Sequence, residues 1–261
     1  MIAFAHVDDI AMKYCRFGTG PRTLVILPGL SIKSVADGEE ALAQAFSLFT
    51  DQFTVYVLDR RENLPETYGI EDMAADTAVV LESLGVAQAC VFGASQGGMI
   101  AQVLAAKWPH LVSRLVLGST TARGADSAPA VVNTWETLAR QGRVAELVDA
   151  TVRYLYSPAT VAAFGDMIRA GMAHITPEDL RRFVILASGT PAFDARPLLP
   201  AIKAKTFVIG CFGDEVVGWQ ASVDLARTLG CPLYLYGPEY GHSVYDEAPD
   251  YRKRLFAFFT E

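Results

Sequence analysis

The chain has 261 residues, 51% of them hydrophobic, which suits one large α/β domain carrying an insertion and excludes a disordered chain. Its 22 basic and 29 acidic residues give a formal charge of −7, with no basic cluster beyond pairs such as Arg60-Arg61 and Arg181-Arg182, so no nucleic-acid partner is expected. No apolar run reaches the roughly 18 to 20 residues of a membrane helix, and the opening MIAFAHVDDI, acidic at Asp8 and Asp9, argues against a signal peptide.

Along the chain, the segment before Arg22 reads as an antiparallel edge hairpin with Gly18, Gly20 and Pro21 at its turn. RTLVILPG is the first buried strand, ADGEEALAQAFSLF has helical spacing with an acidic first turn, and FTVYVLDRR is the next strand. IEDMAADTAVVLESLG is an amphipathic helix closed by Gly85, followed by the strand ACVFG, a helix from about Gly97 to Lys107 and the strand VSRLVLGS. After a break, KTFVIGCFGDEV, WQASVDLARTLG, CPLYLYG and YRKRLFAFF resume the strand–helix alternation. This pattern predicts an α/β class fold with a mainly parallel, doubly wound sheet. Between about Thr121 and Phe193 there are helical patterns and no strand, so residues 121–193 are expected to form a helical cap inserted between two strands of a single domain. Cys15, Cys90, Cys211 and Cys231 lack CxxC or Cys/His ligand spacing and read as reduced thiols, which points to a cytoplasmic protein.

Gly93-Ala94-Ser95-Gln96-Gly97 fits G-x-S-x-G between a strand and a helix. Such an elbow lifts a strained serine to the apex of a turn, and the residues two before and two after must be small for strand and helix to approach. The alternative is a glycine turn with an incidental serine; the apolar run before and the helical pattern after favour the elbow. A serine hydroxyl needs a base, and a neutral imidazole is the usual one. His6 precedes the core strands, His110 belongs at the strands' amino ends, and His174 lies in the cap. His242 follows a strand's carboxyl end, where ligands of such sheets sit, and is the expected base. Asp214, also past a strand's carboxyl end, is the expected acceptor that orients it, with its neighbour Glu215 as a substitute; Asp59 also ends a strand but precedes the serine and reads as a loop-fixing carboxylate with arginine partners, taking the acceptor role only if Asp214 does not, and Asp194 is expected to fix a turn. The oxyanion formed during acyl transfer requires two donors, expected to be the backbone N–H groups of Gln96 and Leu30.

In this order, strand–PG turn, strand–G-x-S-x-G–helix, helical cap, strand–Asp and strand–Gly-His resemble the α/β-hydrolase family from about Arg22 onward. GASQGGMIAQ and GHSVYDEAPDYRKRLFAFF are similar to its small cap-bearing esterase, enol-lactonase and aminopeptidase-like branch. The resemblance implies a nucleophile at Ser95, an acid at Asp214 and a base at His242. Two features depart from it: Pro28 stands where many members have histidine, and DRRENLPETYG lacks the frequent arginine-glycine turn.

The resulting expectation is a serine hydrolase that cleaves a small or medium carboxylic ester, thioester or lactone through an acyl-enzyme on Ser95. Trp135, Tyr154, Tyr156 and Phe164 in the Ala-rich cap favour an apolar acyl group. Acyl transfer to another acceptor and aminopeptidase-like amide hydrolysis use the same chemistry, and a non-catalytic ligand-binding member of the fold is the reading from another class. No cofactor is expected, and no His/Asp/Glu cluster has metal-ligand spacing. The only partner expected is a small-molecule acyl substrate, with no membrane; oligomeric state is not legible.

Overall fold

The alternation of buried strands and amphipathic helices builds a single eight-stranded sheet. A computed structural model describes residues 2–126 and 129–261, so two residues of the 121–193 segment lie outside the described ones. The strands are β1 (Ile2–Val7), β2 (Ile10–Phe17), β3 (Arg22–Leu27), β4 (Phe53–Arg61), β5 (Ala89–Ala94), β6 (Val112–Gly118), β7 (Lys205–Cys211) and β8 (Leu233–Tyr236). Their spatial order is β1-β2-β4-β3-β5-β6-β7-β8. The pairs β1–β2 and β2–β4 are antiparallel and every other pair is parallel. All six residues of β5 are buried, as a central strand covered on both faces requires.

The edge hairpin forms, but its turn is not the one expected from sequence. β1 and β2 join at Asp8-Asp9, where Asp8 takes a left-handed φ of 51°. Gly18 to Pro21 instead carry the chain from β2 to β3, and β4 lies between those two strands. Gly18 (φ 78°) is needed there because a Cβ would run into the Phe53 carbonyl.

Helix α1 (Glu39–Ala45) is shorter than its sequence pattern, flanked by 3-10 turns at Val35–Gly38 and Ser47–Phe49. A 3-10 turn aligns residues three apart. Phe46 and Phe49 accordingly come to face one another at 5.7 Å, and Phe49 packs against Phe53 and Phe256. Helix α2 (Ile70–Ser83) starts where the Asp72 carboxylate accepts from the Gly69 N–H at 3.1 Å and stops at Leu84-Gly85, Gly85 having φ +69°. Helix α3 (Gln96–Lys107) buries ten of its twelve residues against the sheet.

Between β6 and β7 the chain forms α4 (Pro129–Arg140), α5 (Val144–Leu155), α6 (Pro158–Gly171) and α7 (Pro177–Ser188). Their own apolar cluster includes Trp135, Leu147 and Phe183, and it meets Ile32, Val216 and Val217 of the loops that follow β3 and β7. Thr176 caps α7 by accepting from the Asp179 N–H at 3.1 Å while Asp179 accepts from the Thr176 N–H at 2.8 Å. Helices α8 (Trp219–Leu229), α9 (Val244–Glu247) and α10 (Tyr251–Thr260) complete the chain. Among the described residues, no helix is long and apolar enough to cross a membrane. Because β3 to β8 run parallel, their carboxyl ends share one edge, and the loops carrying Leu30, Ser95, Asp214 and His242 all leave from it.

Candidate active site

Ser95 sits between β5 and α3 with φ 53° and ψ −122°, a region a non-glycine residue occupies only when its surroundings force it. Four hydrogen bonds do so: its N–H donates to the Gly118 carbonyl (2.9 Å), and its carbonyl accepts from the Gly98 N–H (2.9 Å), the Met99 N–H (3.2 Å) and the Thr120 hydroxyl (2.7 Å). The flanking glycines are steric requirements. A Cβ on Gly97 would overlap the Leu27 and Pro28 carbonyls, and one on Gly93 would stand 2.8 Å from the Gly98 Cα. The turn therefore presses directly on the end of β3.

His242 and Asp214 are buried, 1% and 6% exposed, while Ser95 is half-buried. His242 Nε2 lies 2.9 Å from Ser95 Oγ, and its Nδ1 lies 2.9 Å from both carboxylate oxygens of Asp214. Asp214 Oδ1 also accepts from the N–H groups of Val216 (2.9 Å) and Val217 (3.0 Å). Burial opposes the Asp214 charge, but His242 and these donors outweigh it and hold the carboxyl below its ordinary value. Gln96 opens α3, so its N–H has no acceptor within the helix. Leu30 lies on the loop after β3, and Gly29 between them packs so close that a Cβ there would stand 3.2 Å from Ser95 Cβ.

The other candidates lie apart from this cluster. His110 Nε2 contacts Glu82 (3.0 Å) at the strands' amino ends, the His6 ring stacks on Phe4, and His174 is exposed. Asp194 binds Arg196 at 2.6 Å, which holds its carboxyl down to about 2, and Glu215 is exposed. Asp59 is buried in a different network. Its Oδ1 accepts from Arg182 of α7 (2.7 Å) and its Oδ2 from the Ser34 hydroxyl (2.6 Å) and the Val35 N–H (3.0 Å).

The sequence profile described as "alpha/beta hydrolase fold" matches residues 23–166, more than half of the chain. The chain belongs to that family. A protein of Mycobacterium phage D29, provisionally named a non-heme haloperoxidase, is 30% identical over 87% of this chain and 84% of its own. 3-Oxoadipate enol-lactonase 2 of Acinetobacter baylyi is 20% identical over 80% of this chain and 78% of its own. Among solved structures, the α/β hydrolase MGS-M2 from a deep-sea metagenome library superposes with a TM-score of 0.88 at 23% identity, covering 99% and 98% of the two chains. The enol-lactonase of Burkholderia xenovorans LB400 gives a TM-score of 0.84 at 22% identity, covering 99% and 100%. At these identities the two structures are similar in fold.

Within this α/β hydrolase, sequence reasoning missed the polar residues beneath the elbow. One nitrogen of Arg60, Nη2, donates both to the Pro28 carbonyl (2.8 Å) on the Leu30 loop and to Gln96 Oε1 (2.9 Å) on the elbow. The Gln96 side chain in turn donates to the Leu186 carbonyl (2.8 Å) and the Thr190 hydroxyl (3.0 Å). Burial pushes the Arg60 guanidinium down to about 10 against the attraction of Asp59. The only sequence signal was Asp59 followed by two arginines; its partner Arg182 of α7 is 123 residues away.

Arg182→Leu is therefore expected to cost about 3 kcal/mol at pH 7, because it strips one partner from a buried carboxylate while Arg60 remains. Burial disfavours the Asp59 charge, yet Arg182 and Arg60 hold its carboxyl below the ordinary value. Its stabilising contribution is complete above the unfolded-state value of about 4 and is lost as the pH falls below it. The stability gap between wild type and variant should then close toward acid. Urea unfolding at a series of pH values checks this, and a gap independent of pH would contradict it.

Proposed function

We propose that this chain is a serine hydrolase acting on a small or medium carboxylic ester, thioester or lactone. The observation that carries the reading is the continuous contact from Ser95 Oγ to His242 Nε2 and from His242 Nδ1 to Asp214, each at 2.9 Å. Family membership supports hydrolysis as the class of reaction.

In this reading the Ser95 oxygen attacks the carbonyl carbon while its proton passes to His242 Nε2. Asp214 fixes the tautomer with the proton on Nδ1 and stabilises the imidazolium that forms. The carbonyl oxygen becomes an oxyanion held by the N–H groups of Gln96 and Leu30, in a site where each such donor is worth about 3 kcal/mol. His242 returns the proton to the leaving oxygen or sulfur as that bond breaks, leaving an acyl-enzyme. Water then attacks, giving its proton to His242 and releasing the acid and the Ser95 hydroxyl. Arg60 serves as a positioning residue, since it ties the Leu30 loop to the elbow. Four free cysteines, three of them buried, support a reducing compartment and hence the cytoplasm.

A fluorophosphonate probe tests the reading directly. Wild type should be labelled and should release nitrophenol from p-nitrophenyl acetate, whereas folded Ser95→Ala should do neither. Equal labelling of the two proteins would place the reactive nucleophile elsewhere.

A further inference from the structure

His242 is held from both sides, and the grip reaches beyond its own loop. Gly241, just before it, is fixed through both backbone groups: its N–H donates to Glu247 Oε2 (2.6 Å), and its carbonyl accepts from the Cys211 thiol (2.9 Å). Ser243, just after it, donates its N–H to the Leu155 carbonyl at the end of α5 (2.7 Å). A Cβ on Gly241 would stand 2.7 Å from the Tyr156 carbonyl carbon and 2.8 Å from the Ser157 nitrogen. The His242 loop and the connection between α5 and α6 therefore pack backbone against backbone.

Glu247 joins these two segments. It closes α9, the short helix that begins just after Ser243, and its half-buried side chain folds back over that helix. While Oε2 takes the Gly241 N–H, Oε1 accepts from both the N–H (2.9 Å) and the hydroxyl (2.6 Å) of Ser157, the residue that caps α6. Three donors from two backbone segments thus converge on one side chain. A carboxylate satisfies them because both of its oxygens accept, whereas an amide would turn its own N–H groups against one set of donors. The imidazole has to reach Ser95 Oγ and Asp214 at once, each at 2.9 Å, and any tilt of its backbone moves both contacts together.

We propose that Glu247 is a positioning residue. By bridging Gly241 to Ser157 it sets the backbone from which His242 reaches Ser95, and it makes that setting depend on how the α5–α6 connection is seated. The benefit to turnover rests on the reading of His242 as the base; the placement of its ring does not.

Glu247→Gln in the full chain tests this, because it keeps the shape of the side chain and removes one accepting oxygen. Thermal unfolding fixes the range in which each variant is folded, and the other measurements are made below it. With isotope-labelled histidine, magnetic resonance follows the four imidazole rings of the chain, and His242 is identified by the signals lost in His242→Gln. Glu247→Gln should shift the His242 ring signals. With p-nitrophenyl acetate it should lower kcat by about 10²-fold while KM stays within about twofold of wild type. Ser157→Ala removes one arm of the bridge and keeps the Glu247 charge, so it should move the same signals and lower kcat by about tenfold. It carries the test alone if Glu247→Gln does not fold. Wild-type ring signals in the variants overturn the proposal, as does an unchanged kcat or a loss explained wholly by KM. A change confined to Glu247→Gln assigns the effect to charge and overturns the bridge. Absence of ester turnover by wild type would sink the hydrolase reading alone, with the ring signals still deciding the placement.

Discussion

Ser95→Ala is expected to lower kcat for ester hydrolysis by about 10⁶-fold while the protein unfolds at nearly the wild-type temperature. The two halves of this expectation have separate physical sources. What holds the strained turn is hydrogen bonding to the Ser95 backbone, from its N–H to Gly118 and from the Gly98 N–H and the Thr120 hydroxyl to its carbonyl, and none of it involves the Ser95 hydroxyl. Alanine meets the same φ penalty as serine, so the elbow geometry survives. The one interaction removed is the 2.9 Å contact with His242 Nε2, and with it the atom proposed to form the acyl-enzyme. Steady-state rates with p-nitrophenyl acetate, paired with thermal unfolding, check both halves. Turnover above about 1% of wild type would assign the chemistry to another group, since residual catalysis by binding and oxyanion donors falls far below that level.

Asp214→Asn should follow with a loss of about 10⁴-fold in kcat and little change in KM or unfolding temperature. Asn keeps an oxygen for the Val216 and Val217 N–H donors, so the loop after β7 retains its shape. Its amide nitrogen then faces His242 Nδ1, where a carboxylate oxygen stood 2.9 Å away. Two donors cannot share that contact. The imidazole is forced to carry its proton on Nε2, and it can no longer accept one from Ser95. Transfer of the acceptor role to Glu215 or Asp59 would leave the rate unchanged; Glu215 is exposed, and Asp59 is already committed to Arg182 and Ser34.

The parts legible in the sequence were those encoded by local pattern and chain order. β5 and α3 announce themselves as an apolar run and a small-residue helix on either side of Ser95, and Asp214 and His242 each follow a strand, so their common edge could be read from alternation. The hairpin turn could not: Asp8-Asp9 and the Gly18–Pro21 stretch carry comparable turn signals, and only the insertion of β4 between β2 and β3 decides between them. Nor could the end of α1, since aromatic packing at Phe46 and Phe49 overrides helical spacing. The Arg60–Gln96 and Arg182–Asp59 contacts join residues 36 and 123 apart, and a single sequence holds no pairing signal at that range.

The Gln96 side chain, bonded at once to Arg60 below and to α7 and Thr190 above, has a consequence for how ligands come and go. Lifting α7 as a rigid flap would break these bonds together with the Arg182–Asp59 pair and would pull on Gln96, whose N–H is the proposed oxyanion donor. Opening on that side and an assembled site are mutually exclusive states, and the other edge of the same helical segment is tied down as well: the Ser243 N–H, next to His242, donates to the Leu155 carbonyl that ends α5 (2.7 Å), and the Ser157 hydroxyl donates to Glu247 (2.6 Å). Exchange of product for substrate without dismantling the site would then proceed by side-chain excursions rather than by lifting a helix, on a faster clock than any movement of α7.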